Sequence, residues 1–379
     1  MDTEISPFAF GHIVNLQSFT NREEDLKRLK KNMLSGINTV LISPRRWGKS
    51  SLVEKAALQI SVENPDFLVV KMDLFSVNSE EEFLENFAKE IIKASSTKVE
   101  EWIENAKTIF KKIIPRLKLK LQPDSDLSLS FDWKEVEKNK EEILNLPETL
   151  AILKNKKIII CIDEFQNLAQ FQNFESFEKK MRSVWQKQKH VSYCLYGSKR
   201  HMMADIFTNS SKPFYKFGEV FWLQKIATEK WIPFIEEGFS KSGRLISRQF
   251  SEKIPLYMKN HSWYVQQFSF FIWAETEKEV SQEIFDNALK RLLDGNEPLF
   301  KNMVENLSVG QINLLKAVVD EAEQLSSKKT IEEYSLGSSG NVNKNKQVLI
   351  NKDILDENSG KLELLDPVFE MWIKKTYFS

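Results

Sequence analysis

Thr39-Val40-Leu41-Ile42-Ser43-Pro44-Arg45-Arg46-Trp47-Gly48-Lys49-Ser50-Ser51-Leu52-Val53 decides how the rest of this chain is read. Four β-favouring residues, Thr39 to Ile42, run into a short loop, and a helical pattern opens after Gly48-Lys49-Ser50. A strand, a loop and a helix in that order form a phosphate-binding loop, because loop amides and a helix N-terminus converge on anionic oxygens. Lys49 is placed to reach the β- and γ-phosphates and Ser50 to put its hydroxyl on Mg²⁺. The whole run Ser43, Pro44, Arg45, Arg46, Trp47, Gly48, Lys49, Ser50 and Ser51 is therefore expected to cradle a nucleotide. The pattern G-x-x-x-x-G-K-[ST] has a glycine where this chain has Ser43. Ser43 precedes Pro44, which biases it toward extended backbone, and an L-residue holds that conformation without a positive φ. Binding is expected to survive the replacement.

The chain has 379 residues, enough for two or three domains. Lys plus Arg and Asp plus Glu each number 54, which excludes a protein that holds nucleic acid by bulk charge and leaves only a local patch. Cys161 and Cys194 both lie in apolar β-type runs and read as small core residues of a reducing compartment, not as a disulfide framework or a metal site. The opening MDTEISPF has no apolar signal core, and no apolar run approaches membrane-spanning length, so the expectation is a cytoplasmic protein. The 27 Phe and 9 Trp residues point to large aromatic cores or partner surfaces.

Residues 1–18 read as an irregular segment. A helix should start near Thr20 or Asn21, either able to cap it, with Glu23, Glu24 and Asp25 at its positive end. Past the phosphate loop, Phe67 to Leu74 is a continuous apolar strand, as expected where both faces are covered. Ser79 with Glu82 resembles a capping box. A charged helix is predicted over about 97–113, and two alternating runs around Pro123 give an inserted hairpin over about 115–132. A helix over about 134–154 follows. Then come a buried strand at 156–164, a helix at about 174–188, a strand from Val191 to Tyr196 and a short strand from Glu219 to Leu223. Strands alternating with helices predict an α/β domain over 1–227 with a mainly parallel, three-layer sheet. Strands vanish beyond it. Residues 228–303 read as a helical lid domain, and 304–379 as three helices and a small β element, a winged helix-turn-helix.

The second chemical signal is Ile160-Cys161-Ile162-Asp163-Glu164, an apolar strand ending in two acids. In nucleotide hydrolases an Asp there holds the Mg²⁺ shell and a following Glu polarises the attacking water. The bland alternative is a pair of solvated acids at a helix start. Ser198, after Gly197 at the end of the next strand, is the candidate polar residue near the γ-phosphate; its alternative is an ordinary turn beside Lys199 and Arg200. Arg22 is a candidate for base or ribose contact, weighed equally against a plain helix start. Lys216 could offer charge to a phosphate, although a surface lysine is the simpler reading. The four histidines show no metal spacing.

With these residues in view the chain resembles the archaeal-type P-loop ATPases of the STAND group of AAA-like proteins. Phe19-Thr20-Asn21-Arg22-Glu23 is similar to the family's F-x-x-R-E, and Ser43-Pro44-Arg45-Arg46-Trp47-Gly48-Lys49-Ser50 to its G-P-R-R-x-G-K-[ST]. Ile160 to Gln166 resembles its acidic strand, and Gly197-Ser198 its sensor turn. Asn260-His261-Ser262-Trp263-Tyr264 stands where the family has G-H-P-x-Y, and Asp366-Pro367-Val368-Phe369-Glu370-Met371-Trp372 resembles its D-P-x-F-x-x-W. Ser43 replaces a glycine, Lys216 an arginine, and Ser262-Trp263 a Pro-containing turn; His261 reads as structural. The resemblance implies ATP and Mg²⁺ as ligands, a P-loop sandwich with a lid and a winged helix, and a nucleotide-driven regulatory switch. It implies no defined substrate.

The expected activity is hydrolysis of ATP held between the α/β and helical domains, with Glu164 orienting water, Lys49 on the phosphates and Ser198 as sensor. Two alternatives stay open. One is a DNA-binding regulator that uses a recognition helix around Asn343–Leu355, with a protein partner as the competing use of that surface. The other is a degenerate nucleotide-binding scaffold that docks a protein, for which Ser43 and Lys216 are the motivation.

Overall fold

The computed structural model describes residues 6–11, 21–95, 139–358 and 360–378. The helix expected over about 97–113 and the hairpin over about 115–132 lie outside the described residues. The chain divides into two compact units. One is Arg22–Gln224, and the other joins Lys225–Ser379 to the N-terminal segment up to Asn21.

The first unit is a five-stranded parallel sheet in the order β2-β3-β4-β1-β5. Its strands are β1 (Thr39–Ile42), β2 (Phe67–Asp73), β3 (Lys157–Asp163), β4 (Val191–Gly197) and β5 (Glu219–Trp222). The helices are α1 (Glu23–Leu34), α2 (Lys49–Glu63), α3 (Glu80–Ala94), α4 (Lys140–Leu144), α5 (Leu146–Lys154), α6 (Phe174–Trp185) and α7 (Arg200–Thr208). This is the expected α/β class. Parallel pairing brings the carboxyl ends of the strands to one edge: Ile42 is in register with Gly197, and Asp73 with Asp163. The chemistry-bearing loops all leave from that edge, as the geometry of parallel α/β sheets dictates. The apolar content supplies an aromatic core that includes Phe83, Phe87, Phe177, Trp185 and Tyr193, with the Trp185 and Tyr193 rings stacked 4.1 Å apart. Cys161 and Cys194 are buried register partners on β3 and β4 and remain free thiols.

Three local expectations change. The single helix expected over about 134–154 is two, α4 and α5, broken at Asn145. Pro147 has no N–H and its ring clashes with the preceding turn, so it opens a helix and cannot continue one. Helix α1 is capped by neither candidate. Its N-cap is Arg22, without a side-chain cap. Asn21 sits at φ 59° and donates to the Lys230 carbonyl at 2.6 Å, while Thr20 lies outside the described residues. Ser79 does cap α3, accepting from the Glu82 amide at 3.1 Å, but Glu82 reaches back to the Asn78 amide and not to that of Ser79. The box is displaced by one residue.

The second unit begins with α8 (Thr228–Lys241), α9 (Arg248–Tyr257), α10 (Ser262–Glu275) and α11 (Gln282–Glu305). It continues with α12 (Val309–Val319), α13 (Lys328–Glu333), α14 (Ser339–Asn351), the antiparallel hairpin β6 (Leu355–Asn358) with β7 (Lys361–Leu364), and α15 (Pro367–Thr376). Three helices followed by a hairpin are the winged helix. The boundary expected at 303/304 falls inside α11, and one apolar cluster runs from Trp231 and Phe268 through Phe300 to Leu349 and Trp372. The sequence reading assigns residues 1–21 to the first domain, whereas Phe8 is buried in this second core against Phe234 and Phe239. Polar fasteners join the same parts. Asp366 caps α15 by accepting from the Val368 and Phe369 amides, each at 2.9 Å, and its other oxygen accepts from the Tyr264 hydroxyl at 2.6 Å. Glu370 pairs with both Lys259 and Lys374. Among the described residues no helix is long and apolar enough to cross a membrane.

Glu178, on α6, is fully buried, and burial raises its carboxyl to about 7 against the opposing charge of Lys212 and the Phe214 amide. The unfolded chain ionises it near the ordinary carboxylate value, so stability falls as pH rises from about 4.5 to about 7 and then levels. Glu178→Gln should remove that slope. The cost it abolishes is on the order of 3 kcal/mol at 1.36 kcal/mol per pKa unit. Thermal melts at pH 5 and pH 8 should show the variant gaining on the wild type only at the higher pH.

Candidate nucleotide site

The site is built at the carboxyl edge of the sheet. Loop Ser43–Gly48 leaves β1 and delivers the chain to α2, whose N-cap is Gly48 at φ 93°, ψ 16°. A side chain would strain that left-handed conformation, so glycine is required there. Ser43 is buried, has no positive φ and turns its hydroxyl onto the Pro44 carbonyl at 3.1 Å. The missing glycine is therefore no backbone problem. The loop's other left-handed residue is Arg46 at φ 65°, a conformation that costs a non-glycine residue roughly 1 kcal/mol or more. Arg45 is exposed, and its Nε lies 3.5 Å from the Ser198 hydroxyl. Ser51 is buried in the first turn of α2.

The loop and the acidic strand meet at Lys49 and Ser50. Lys49 is buried, its Nζ donating to Glu164 Oε1 at 3.2 Å and standing 3.7 Å from Asp163 Oδ1. The Ser50 hydroxyl donates to Asp163 Oδ2 at 2.8 Å. The Glu164 backbone is left-handed at φ 50°, ψ 40°, and its amide donates to Asp163 Oδ1 at 2.8 Å. That turn swings the Glu164 carboxylate under β4, where Oε2 accepts from the Ser198 hydroxyl at 2.8 Å and from the Ser198 amide at 3.4 Å. The neighbouring order β3-β4-β1 explains the meeting, since β4 lies between the acidic strand and the loop strand.

The two acids titrate in opposite directions. Burial pushes Asp163 up, and the adjacent Glu164 charge adds to it, against the opposing pull of Lys49 and Ser50. Burial also raises Glu164, but there the Lys49 charge and the hydrogen bonds from Gln166, Ser198 and Lys49 outweigh it, leaving the carboxyl below its ordinary value. Glu164 is the better-held anion. Ser50 Oγ and Asp163 Oδ2 together offer adjacent hard oxygens, the donor chemistry that Mg²⁺ takes when one or two protein groups are completed by phosphate and water. The residues fit that ion. Among the described residues no cluster of three or more His, Cys, Asp or Glu competes for it.

Arg22 is placed differently from the base contact envisaged. It is 4% exposed, and its guanidinium donates to the Trp47 carbonyl at 2.8 Å, to the Gln224 carbonyl at 2.9 Å and to Asp25 at 2.9 Å. Burial lowers its pKa, and the Asp25 carboxylate partly restores it. It thus ties the phosphate loop to the last residue of the unit. Lys216 is not gathered with the loop: it is exposed, at φ 54°, with its ammonium over the Tyr215 ring. His261 is buried beside the Tyr264 ring, as a structural residue would be.

Sequence reasoning assigned no role to Gln166. The structure buries it to 1% exposure and directs its Nε2 to Glu164 Oε2. Its place two residues after Glu164 was a visible hint. Its packing against Gly197, on another strand, was not.

Comparison with known proteins follows the same division. Residues 47–190 match the family described as the KAP family P-loop domain, and residues 298–375 match one described as "Probable winged helix domain". No curated protein matches the chain. Among solved structures, the fold is similar to a Walker-type ATPase of Pyrococcus abyssi, at 17% identity and a TM-score of 0.68, over 97% of this chain and 99% of that one. It is also similar to the ORC2 protein of Aeropyrum pernix in its ADP form, at 11% identity and a TM-score of 0.56, over 98% of each chain. A second ORC2 structure, of ADPNP–ADP complexes, gives 12% identity and a TM-score of 0.54, over 100% of this chain and 98% of that one. The chain accordingly joins a P-loop NTPase domain to a C-terminal winged-helix domain.

Proposed function

We propose that this protein binds ATP with Mg²⁺, hydrolyses it, and uses the cycle as a switch. The observation that carries the first part is the position of Lys49, whose ammonium lies against both Asp163 and Glu164. An anionic phosphate entering the loop draws that ammonium to itself, since loop amides and Lys49 together present the positive end of the site. Glu164 is then relieved of its cation, remains ionised and is free to accept a proton from water. Asp163 and Ser50 would hold Mg²⁺, which supplies charge neutralisation on the β- and γ-phosphate oxygens. ADP and ADPNP complexes of the structurally similar ORC2 protein support an adenine nucleotide. The STAND-type reading rests on the motif resemblance, and the cytoplasmic reading on the two cysteines read as core residues of a reducing compartment.

The switch rests on Arg22. The chain passes between units at Asn21/Arg22 and at Gln224/Lys225. Arg22 lies at one crossing and holds the carbonyl that ends the other, while its third partner is the loop carbonyl of Trp47. Movement of the loop on a phosphate therefore reaches both crossings through one rigid, buried guanidinium. For the winged helix, a protein partner is the better-supported use. Residues 301–379 hold twelve acids against ten bases, and Lys346 on α14 is already paired with Glu357.

Three measurements test this. Glu164→Gln should keep nucleotide affinity and lower turnover by about 10²–10⁴-fold, the usual worth of a positioned general base, whereas Lys49→Ala should lose binding. Unchanged turnover in Glu164→Gln removes that residue from the chemistry. Arg22→Ala should still bind nucleotide but lose the nucleotide-dependent change in amide exchange across residues 219–230; an exchange response like the wild type's defeats the coupling role. Titration of the full-length protein with duplex DNA at low salt should show no salt-dependent binding, and a clear shift that fades with salt would favour the DNA-binding alternative.

A further inference from the structure

We propose that Gln166 is a positioning residue that anchors one oxygen of Glu164, and that Gly197 is a glycine in order to admit it. The inference rests on the hydrolysis reading above for its consequence, but its geometry stands apart from it.

The left-handed turn at Glu164 starts a 3₁₀ segment, Phe165–Gln170, and brings residue 166 back toward residue 164. A primary amide buried to this degree is costly unless paired. Gln166 pairs its Nε2 with Glu164 Oε2. The far side of the amide faces β4. A Cβ built at Gly197 would lie 1.9 Å from Gln166 Oε1 and 3.1 Å from its Cδ, with Met203 Sδ at 2.9 Å. Gly197 has no positive φ, so the turn itself does not demand glycine. The demand is space, and the occupant of that space is the Gln166 amide.

The two oxygens of Glu164 therefore have different partners. Oε1 faces Lys49, the cation that a phosphate would recruit. Oε2 faces neutral donors, the Ser198 hydroxyl and Gln166 Nε2, and of these the Gln166 amide packs against Gly197 on β4 and stays with Glu164. When Lys49 turns to phosphate, Oε2 stays anchored and Oε1 becomes the working oxygen. A hydrogen bond to a charged group contributes about 1.5–3 kcal/mol, so loss of one anchor corresponds to roughly a tenfold to a hundredfold change. Leu or Met would fill the same volume, and neither would hold Glu164.

The test uses the full-length protein and four variants: Gln166→Ala, Gln166→Met, Gly197→Ala and the double variant Gln166→Ala/Gly197→Ala. Nucleotide affinity is read by titration with a fluorescent ATP analogue, turnover at saturating ATP, and stability by thermal melts without nucleotide. Each single variant should keep affinity within a few-fold. Each should also lower turnover roughly tenfold to a hundredfold. Gln166→Met should do so while keeping the wild-type melting temperature, which separates anchoring from packing. The double variant should be no worse than Gln166→Ala, because the Gly197→Ala methyl then meets only the Met203 thioether, part of a flexible side chain that can shift. Wild-type turnover in Gln166→Met, or additive losses in the double variant, would overturn the proposal. If the wild type itself shows no turnover, the hydrolysis reading fails, and the melting temperatures of Gly197→Ala and of the double variant still decide whether the Gln166 amide fills the space at Gly197.

Discussion

A buried ammonium between two half-buried carboxylates is the constraint around which the first unit is arranged. Asp163 and Glu164 leave water at the end of β3, and two like charges that close would not both stay ionised unaided. Lys49 compensates them, and in return is itself buried without an isolated charge. The compensation works only if β1 and β3 stand one strand apart, which the order β3-β4-β1 provides.

The second unit obeys a different logic. The residues that resemble a family's lid and closing motifs, Asn260–Tyr264 and Asp366–Trp372, meet each other: Tyr264 donates to Asp366, and the nearby Lys259 pairs with Glu370. Helix α11 runs through the expected domain border, and Phe300 packs on Phe369 and Trp372. The helical part and the winged helix therefore share one core and would move as one body.

Much of this was legible in the sequence, for reasons of locality. The strand–loop–helix at Thr39–Val53, the apolar run ending in Asp163-Glu164 and the loss of strands after Leu223 each depend on neighbouring residues, and periodicity and spacing record them. The place of Ser198 next to the acids followed from the expected strand order. Misjudged details were also local. Pro147 was present to be read as a helix opener, the cap of α1 was off by a residue, and at α3 Ser79 caps as expected while the return bond of Glu82 falls on Asn78.

What the sequence by itself determined, then, is the class of fold and the loop and acidic-strand residues proposed to hold a nucleotide, because that chemistry needs particular residue types at short spacing. Only the tertiary structure decided the rest. Arg22 holds Trp47 and, some two hundred positions away, Gln224, Phe8 belongs to the second core, and the Gln166 amide packs against Gly197, on a strand paired with β3. These are contacts between segments whose separation along the chain carries no signal. Space and burial, not spacing, set them.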